Sequence, residues 1–421
     1  MTLALAPHRA TTRHLASCYL FQADPPIDVG PILGLDARSG GTFSFDPFAA
    51  YAAGLITNPN LLVLGEVGSG KSTIAKLLCW TERALLGRSV AILDPKGEYL
   101  PLAKLLGLPT IRLSPGGRTR INPLELSFSA GILDEHQRQR VDVLGALGES
   151  GLGRSLRPEE RAALDATVGE LTSAPLLGTV VDALLAPSTS VAAALRTSAG
   201  ELAGAIRDLA LALRRLVAGD LAGMFDGPST VHLDATSPGV HVDLSPVYTN
   251  PAVLAPTMVA AGSWLTAALA APGRQSMLVL DETWQVLADP GIGRWLRATM
   301  KLARALGASV VLVTHSLADF RAVGDERSEA ARLAASLVAD TASRALLAHS
   351  DAALAETASV LELAKAESEL LPHLGRGIAL WHVGEHARLV RHLVPRPLLD
   401  AFDTDAEMLG RASASPLGSQ P

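Results

Sequence analysis

The sequence has little with which to build a disulfide framework. Its 421 residues include two cysteines, Cys18 and Cys79. They lie far apart and lack metal-ligand spacing, so structural disulfides and a thiolate metal centre are not expected; a reduced, intracellular protein is. Basic residues are not in excess: the formal net charge is −6. This argues against a uniformly basic nucleic-acid coat and leaves room for a local basic patch, such as the lining of a channel. The N-terminus, "MTLALAPHRATTRH", has no basic region followed by a long apolar core, so no signal peptide is expected. There is also no clean membrane-length apolar run. The longest charge-free stretch, Leu244–Gly273, is broken by Pro251, Pro256, Thr257, Gly262, Ser263 and Thr266 and is richer in alanine than in leucine, isoleucine or phenylalanine. It reads as a helix buried between the layers of one large domain in preference to a membrane span. Aromatic residues make up only 4% of the chain. The apolar content is carried by alanine, leucine and valine, and with ordinary charge it predicts a globular protein. The length allows two or three domains, or one large α/β unit with an insertion.

The strongest local feature is "LLVLGEVGSGKSTIAKLL", residues 61–78. An apolar run passes through a Gly/Ser-rich turn into a helix-like segment, and Gly65 to Ser72 fit G-x-x-x-x-G-K-[ST]. Glycines such as Gly65, Gly68 and Gly70, with Ser69, let successive backbone N–H groups turn inward on an anion. The helix that follows presents its positive end. Lys71 then reaches the β- and γ-phosphates, Ser72 is a Mg²⁺ ligand, and Thr73 contacts the α-phosphate. A glycine-rich turn that happens to contain lysine is the bland alternative, and the flanking strand and helix patterns argue against it. The expected ligand is a nucleoside triphosphate with Mg²⁺.

Around this loop the pattern alternates between strand and helix. Strand-like runs occur at "NLLVLG", "SVAILDPKG", "TIRLSPGG", "GVHVDLS", "SMLVLDE", "ASVVLVTHS", "SRALLAHS", "GIALWHVG" and "ARLVRHLVP". Alternation with helices predicts an α/β fold with a mostly parallel sheet covered on both faces. Residues 131–225 differ in being long Leu/Ala/Arg/Glu segments, read as an all-helical insertion. The expected organisation is a lead-in at 1–45, a core at 46–130 and 226–402, the insertion at 131–225, and a disordered tail at 403–421.

Three strand ends carry candidate chemistry. "SMLVLDETW" ends in Asp281, suited to the metal side of a nucleotide, and Glu282, placed as a water-activating base; an exposed strand end would produce the same pair. "SVVLVTHS" ends in Thr314 and His315. His315 either senses the γ-phosphate and attacking water as a hydrogen-bond donor or simply caps a strand. "ILDPKGEY" places Asp94 and Glu98 where they either approach the nucleotide or form an ordinary turn with exposed charges.

At these residues the sequence resembles the HerA–FtsK superfamily of hexameric pumping ATPases, and within it the motor domain of conjugation and type IV secretion ATPases. The resemblance runs over roughly residues 30–400, through "GPILGLDARSGGTFSFDPF", "NLLVLGEVGSGKST", "AILDPKGEY", "INPLE", the helical insertion, "MFDGPST", "VHVDLS", "VLDETW", "VLVTHSLADF" and "LGRGIALWHVG". It implies a RecA-like core, assembly as a homo-hexamer, and ATP hydrolysis coupled to moving DNA or protein. It also implies a cytoplasmic location, recruited to the inner face of the membrane by membrane-embedded secretion or conjugation proteins. A FtsK/HerA-like DNA pump, or a nucleotide-dependent scaffold with little turnover, are the alternatives. A DNA pump needs a basic loop, and the insertion supplies only scattered arginines such as Arg207, Arg214 and Arg215. Ring ATPases complete their site with a neighbour's arginine. Arg344 and Arg376 are the candidates, with a surface arginine in a turn as the alternative for each. Two departures stand out: His315 occupies a place where the family often has glutamine, and the large N-terminal domain of secretion ATPases is missing from the pattern.

Overall fold

The structure, a computed structural model, describes residues 27–125, 133–171, 175–233, 236–269, 273–282, 289–315 and 336–403. The tail after Asp403 and the ends of two motifs, "TW" beyond Glu282 and "SLADF" beyond His315, lie outside them. In chain order the strands are β1 (Asp28–Val29), β2 (Ile32–Asp36), β3 (Thr42–Phe45), β4 (Leu61–Leu64), β5 (Ser89–Asp94), β6 (Thr110–Arg112), β7 (Gly239–Asp243), β8 (Ser276–Leu280), β9 (Ala308–Thr314), β10 (Ser343–Leu346), β11 (Ile378–Val383) and β12 (His386–His392). Each strand-like run of the sequence has become one of them.

They form one sheet, in the order β1-β3-β2-β12-β11-β10-β4-β9-β8-β5-β7-β6. From β10 to β6 every neighbouring pair is parallel. β11, β12, β2 and β3 extend the sheet in antiparallel fashion. The parallel strands are uninterrupted apolar runs because both faces are covered. On β4, Leu61 and Val63 point into one core and Leu62 and Leu64 into the other, as the period of two requires.

The two cores have different sources. One face is covered by the helix Lys71–Trp80, through Ile74, Ala75, Leu77 and Leu78. The same core takes in Phe43 and Phe45, whose rings pack on Trp381 of β11 at 5.2 and 5.1 Å between centroids. The lead-in strands are thereby stitched to the far end of the chain. The other face is covered by the insertion helices, from Leu133–Leu152 to Arg207–Ala218, together with the helix Pro251–Leu269. That last helix is long and apolar enough to cross a membrane, yet 83% of its apolar window is buried inside the protein. It packs on β5 and on the helices Leu133–Leu152 and Pro290–Ala303, as the charge-free stretch predicted. Buried Glu149 of the insertion takes Arg294 of the Pro290–Ala303 helix at 2.6 Å, so an ion pair as well as apolar contact ties insertion to core.

Candidate active site

The site forms where four neighbouring parallel strands end side by side. β4 leads into the phosphate loop, β9 into His315, β8 into Asp281 and Glu282, and β5 into the turn Asp94–Tyr99. The strand order places β9 and β8 between β4 and β5, and C-terminal strand ends are where open α/β sheets bind ligands.

The loop is closed on itself. The Glu66 carbonyl accepts the Ser69 hydroxyl at 2.7 Å and the Lys71 ammonium at 2.7 Å. Gly70 caps the helix at φ +112, a backbone region where a Cβ is strained, and Gly68 lies at φ +78. At Gly65 a Cβ would stand 2.7 Å from the Cβ of Leu347, just past the end of β10. Ser72 and Thr73 open the helix, half-buried at its positive end.

From the loop a line of hydrogen bonds crosses all four strands. The Lys71 ammonium donates to His315 Nδ1 at 2.8 Å. An ammonium has no acceptor, so Nδ1 is the accepting nitrogen and the ring proton sits on Nε2. Nε2 donates to the Glu282 carboxylate, 2.9 Å from Oε1 and 3.0 Å from Oε2. The Lys96 ammonium, from the far side, donates to Glu282 Oε1 at 2.6 Å. Burial lowers the Lys71 pKa to about 8, against the pull of Glu282 and Asp281.

Asp281 lies behind this line, buried, accepting the Tyr99 hydroxyl at 2.7 Å on Oδ2 and the Glu282 amide at 2.8 Å on Oδ1. Burial pushes its carboxyl up to about 6, with the Tyr99 bond opposing and the Glu282 charge adding to the shift. Thr314 is buried beside the loop strand, in register with Leu64, and its hydroxyl has no partner among the described residues. Such a hydroxyl is costly unless something fills the space before it.

The other expected residues fall into different places. Asp94 is buried and spends Oδ1 on the Lys96 and Gly97 amides and Oδ2 on the Tyr99 amide and His241 Nε2. Both oxygens are used within the protein, which is the geometry of a turn builder. Glu98 is half-buried with its pKa raised, chiefly by burial, and Lys96 and Lys76 oppose that shift. Arg344 is half-buried inside its own chain, in register with Leu62 and His382, and donates to the Leu361 carbonyl at 3.4 Å. Arg376 is exposed, and the next residue, Gly377, donates its amide to the Ser69 carbonyl at 3.0 Å. Arg376 is therefore next in sequence to a residue tied to the phosphate loop of its own chain.

Lys96 and Tyr99 were missed as site residues, although both sit within the quoted "ILDPKGEY". The available signal was an ammonium and a phenol just past the end of a core strand, the place already credited to Asp94.

The tether at Gly377 has its own support. The Trp381 indole N–H donates to His392 Nε2 at 2.9 Å, so His392 carries its proton on Nδ1, which donates to the Gly377 carbonyl at 3.0 Å. Burial depresses the His392 pKa from 6.5 to about 4. Between those values the unfolded chain binds the proton and the folded chain does not, so the cost is absent above 6.5 and grows as pH falls. The two values translate to about 3 kcal/mol lost by pH 4. Urea denaturation of wild type and His392→Asn across pH 4 to 7 checks this: the acid-side loss should be smaller by that amount in the variant.

Residues 56–162 match the family model described as Helicase HerA, central domain. No curated protein sequence matches the chain significantly. Among solved structures, VirB4 of Thermoanaerobacter pseudethanolicus aligns with a TM-score of 0.69 at 24% identity, over 88% of this chain and 98% of that one. The plasmid coupling protein TrwB in complex with the ATP analogue ADPNP aligns with a TM-score of 0.59 at 16% identity, over 89% and 97%. TrwB with the GTP analogue GDPNP gives 0.57 at 18% identity, over 80% and 86%. The chain thus has the RecA-like P-loop fold, and over residues 56–162 it is similar to the HerA central domain.

Proposed function

We propose that this chain, which resembles the HerA–FtsK ATPases in motif order and fold, is an ATP-hydrolysing motor of the conjugation and type IV secretion type. The observation that carries the reading is the line Lys71–His315–Glu282, which joins the phosphate loop to an acid at the neighbouring strand ends. ATP binds at Gly65–Thr73, and Lys71 leaves Glu66 and His315 to neutralise the β- and γ-phosphates. Glu282 takes a proton from water as its oxygen attacks the γ-phosphorus. The bond to the β–γ bridging oxygen breaks, releasing ADP and phosphate. In this reading His315, with Thr314 beside it, senses the γ-phosphate and attacking water, and an arginine of a neighbouring subunit, Arg344 or Arg376, completes the site.

The donor set suits Mg²⁺. Among the described residues no group of three or more His, Cys, Asp or Glu could hold a metal. One hydroxyl, Ser72, and one carboxylate, Asp281 acting through water, match a hard cation that draws its other ligands from phosphate and water. When bound there, the ion neutralises charge developing on the β- and γ-oxygens. TrwB has been solved with ADP and Mg²⁺, which supports the same pairing here.

The working unit is a ring, a homo-hexamer, at the cytoplasmic face of the membrane beside membrane-embedded secretion proteins, moving DNA or protein. Steady-state hydrolysis with and without single- or double-stranded DNA, alongside particle mass with and without Mg·ATP, tests this. Turnover indifferent to DNA in a hexameric particle is the expected result. Strong stimulation by DNA would favour a DNA pump of the FtsK/HerA kind. A monomer at every concentration with ATP present would overturn the ring.

A further inference from the structure

We propose that Lys96 is a positioning residue that restrains Glu282 at rest, so that the base becomes effective only when the Lys96 ammonium withdraws. This rests on the hydrolytic reading of Glu282 given above. The contact is the shortest in the site's line, 2.6 Å from Lys96 Nζ to Glu282 Oε1. With the His315 imidazole on the same carboxylate, Oε1 carries two donors. A carboxylate engaged by a cation is a weaker base and offers fewer lone pairs to a water proton.

The backbone supports a held state. Glu282 has φ +52, a left-handed conformation that a residue with a Cβ adopts at a cost. Its amide is bonded to its own neighbour's carboxylate, Asp281 Oδ1, at 2.8 Å. The side chain is pinned by His315 from β9 and by Lys96 from the turn after β5. A strained residue fixed from two other strands is one that can change conformation when a tie is released.

The other half of the argument is where Lys96 can go. Its turn is built without the ammonium: the Lys96, Gly97 and Tyr99 amides all bond to Asp94. The side chain can leave Glu282 while the turn stays intact. It is 30% exposed, its long stem is flexible, and a second acid, Glu98, sits two residues on. The Tyr248 ring is 5.9 Å from the ammonium on another side. Tyr99, from the same turn, holds Asp281. One short turn therefore grips both acids, with a rigid phenol on one and a movable lysine on the other.

The test compares wild type, Lys96→Met, Lys96→Arg, Glu282→Gln and the Lys96→Met/Glu282→Gln double variant in ATP titrations without activator. In Lys96→Met the basal kcat should rise by at least about threefold while KM stays within about twofold. Lys96→Arg, which keeps the cation, should behave as wild type, and the double variant should be as inactive as Glu282→Gln. An unchanged or lower kcat in Lys96→Met would overturn the restraint. A second readout needs no turnover: hydrogen exchange without nucleotide should quicken at the Glu282 amide in Lys96→Met and stay unchanged along β4. Equal exchange in wild type and variant would contradict the hold. If wild type itself does not hydrolyse ATP, the hydrolytic reading fails, and the exchange result alone decides whether Lys96 holds Glu282.

Discussion

Glu282→Gln is expected to lower kcat by roughly 100- to 10,000-fold, the range spanned by loss of a positioned general base. Nucleotide affinity should stay within about threefold of wild type, since nothing in the phosphate loop changes. The reasoning is local. Glu282 accepts Lys96 at 2.6 Å and His315 at 2.9 Å, and an amide oxygen can accept the same donors. The packing is therefore kept and only the basic carboxylate is lost. Fluorescent ATP-analogue binding beside steady-state turnover separates the two effects. A parallel fall in affinity and turnover would instead make Glu282 a binding or folding residue. Retained turnover would remove it from the chemistry.

Arg88→Met is expected to cost about 3–5 kcal/mol of stability, the usual penalty for breaking one side of a buried ion pair. Arg88 makes a fork on Asp46, with both bonds between 2.8 and 2.9 Å, and reaches Glu82 at 2.8 Å. Asp46 and Glu82 are both buried, and Asp46 also caps the helix Pro47–Ala52 through the Phe48 amide. Without the guanidinium two carboxylates face each other away from water. Burial already pushes Glu82 from 4.5 up to about 7 with Arg88 present. A raised carboxyl pKa means that the folded chain holds the proton longer than the unfolded one. The cost is absent at low pH and grows as pH rises through this window. The deficit of Arg88→Met should therefore be larger at pH 8 than at pH 5, and Glu82→Gln in the same background should recover part of it. Chemical denaturation at the two pH values reads both. A deficit under about 1 kcal/mol would mean that the cluster is solvated and weak.

The legible part of this protein was whatever short-range chemistry dictates. β4, β5, β8 and β9 are apolar runs ending in polar groups, and the Gly65–Ser72 loop needs only its own residues to be recognised. Strand order is a different matter. Nothing local in "TFSF" says that Phe43 and Phe45 will pack on Trp381, more than 300 positions along, because that contact depends on β12 pairing with β2. The same holds at the site. Lys96 reads as an exposed charge in a turn until β5 is seen beside β8. Arg344 and Arg376 read only as arginines near turns until strand pairing brings Arg344 to its own Leu361 and ties Gly377, the residue after Arg376, to the phosphate loop. Asp94 ends a strand, where an acid reads equally as chemical or as part of a turn, and only the folded turn shows both its oxygens taken by the Lys96, Gly97 and Tyr99 amides and His241.

The central claim is that the line from Lys71 to Glu282 is hydrolytic machinery. Phosphate release from Mg·ATP by the purified chain, beside Lys71→Ala, tests it most directly. Multiple turnovers by wild type that Lys71→Ala abolishes are the predicted result. Tight ATP binding by wild type with no phosphate released, alone or with DNA, would contradict the account and leave a nucleotide-dependent switch.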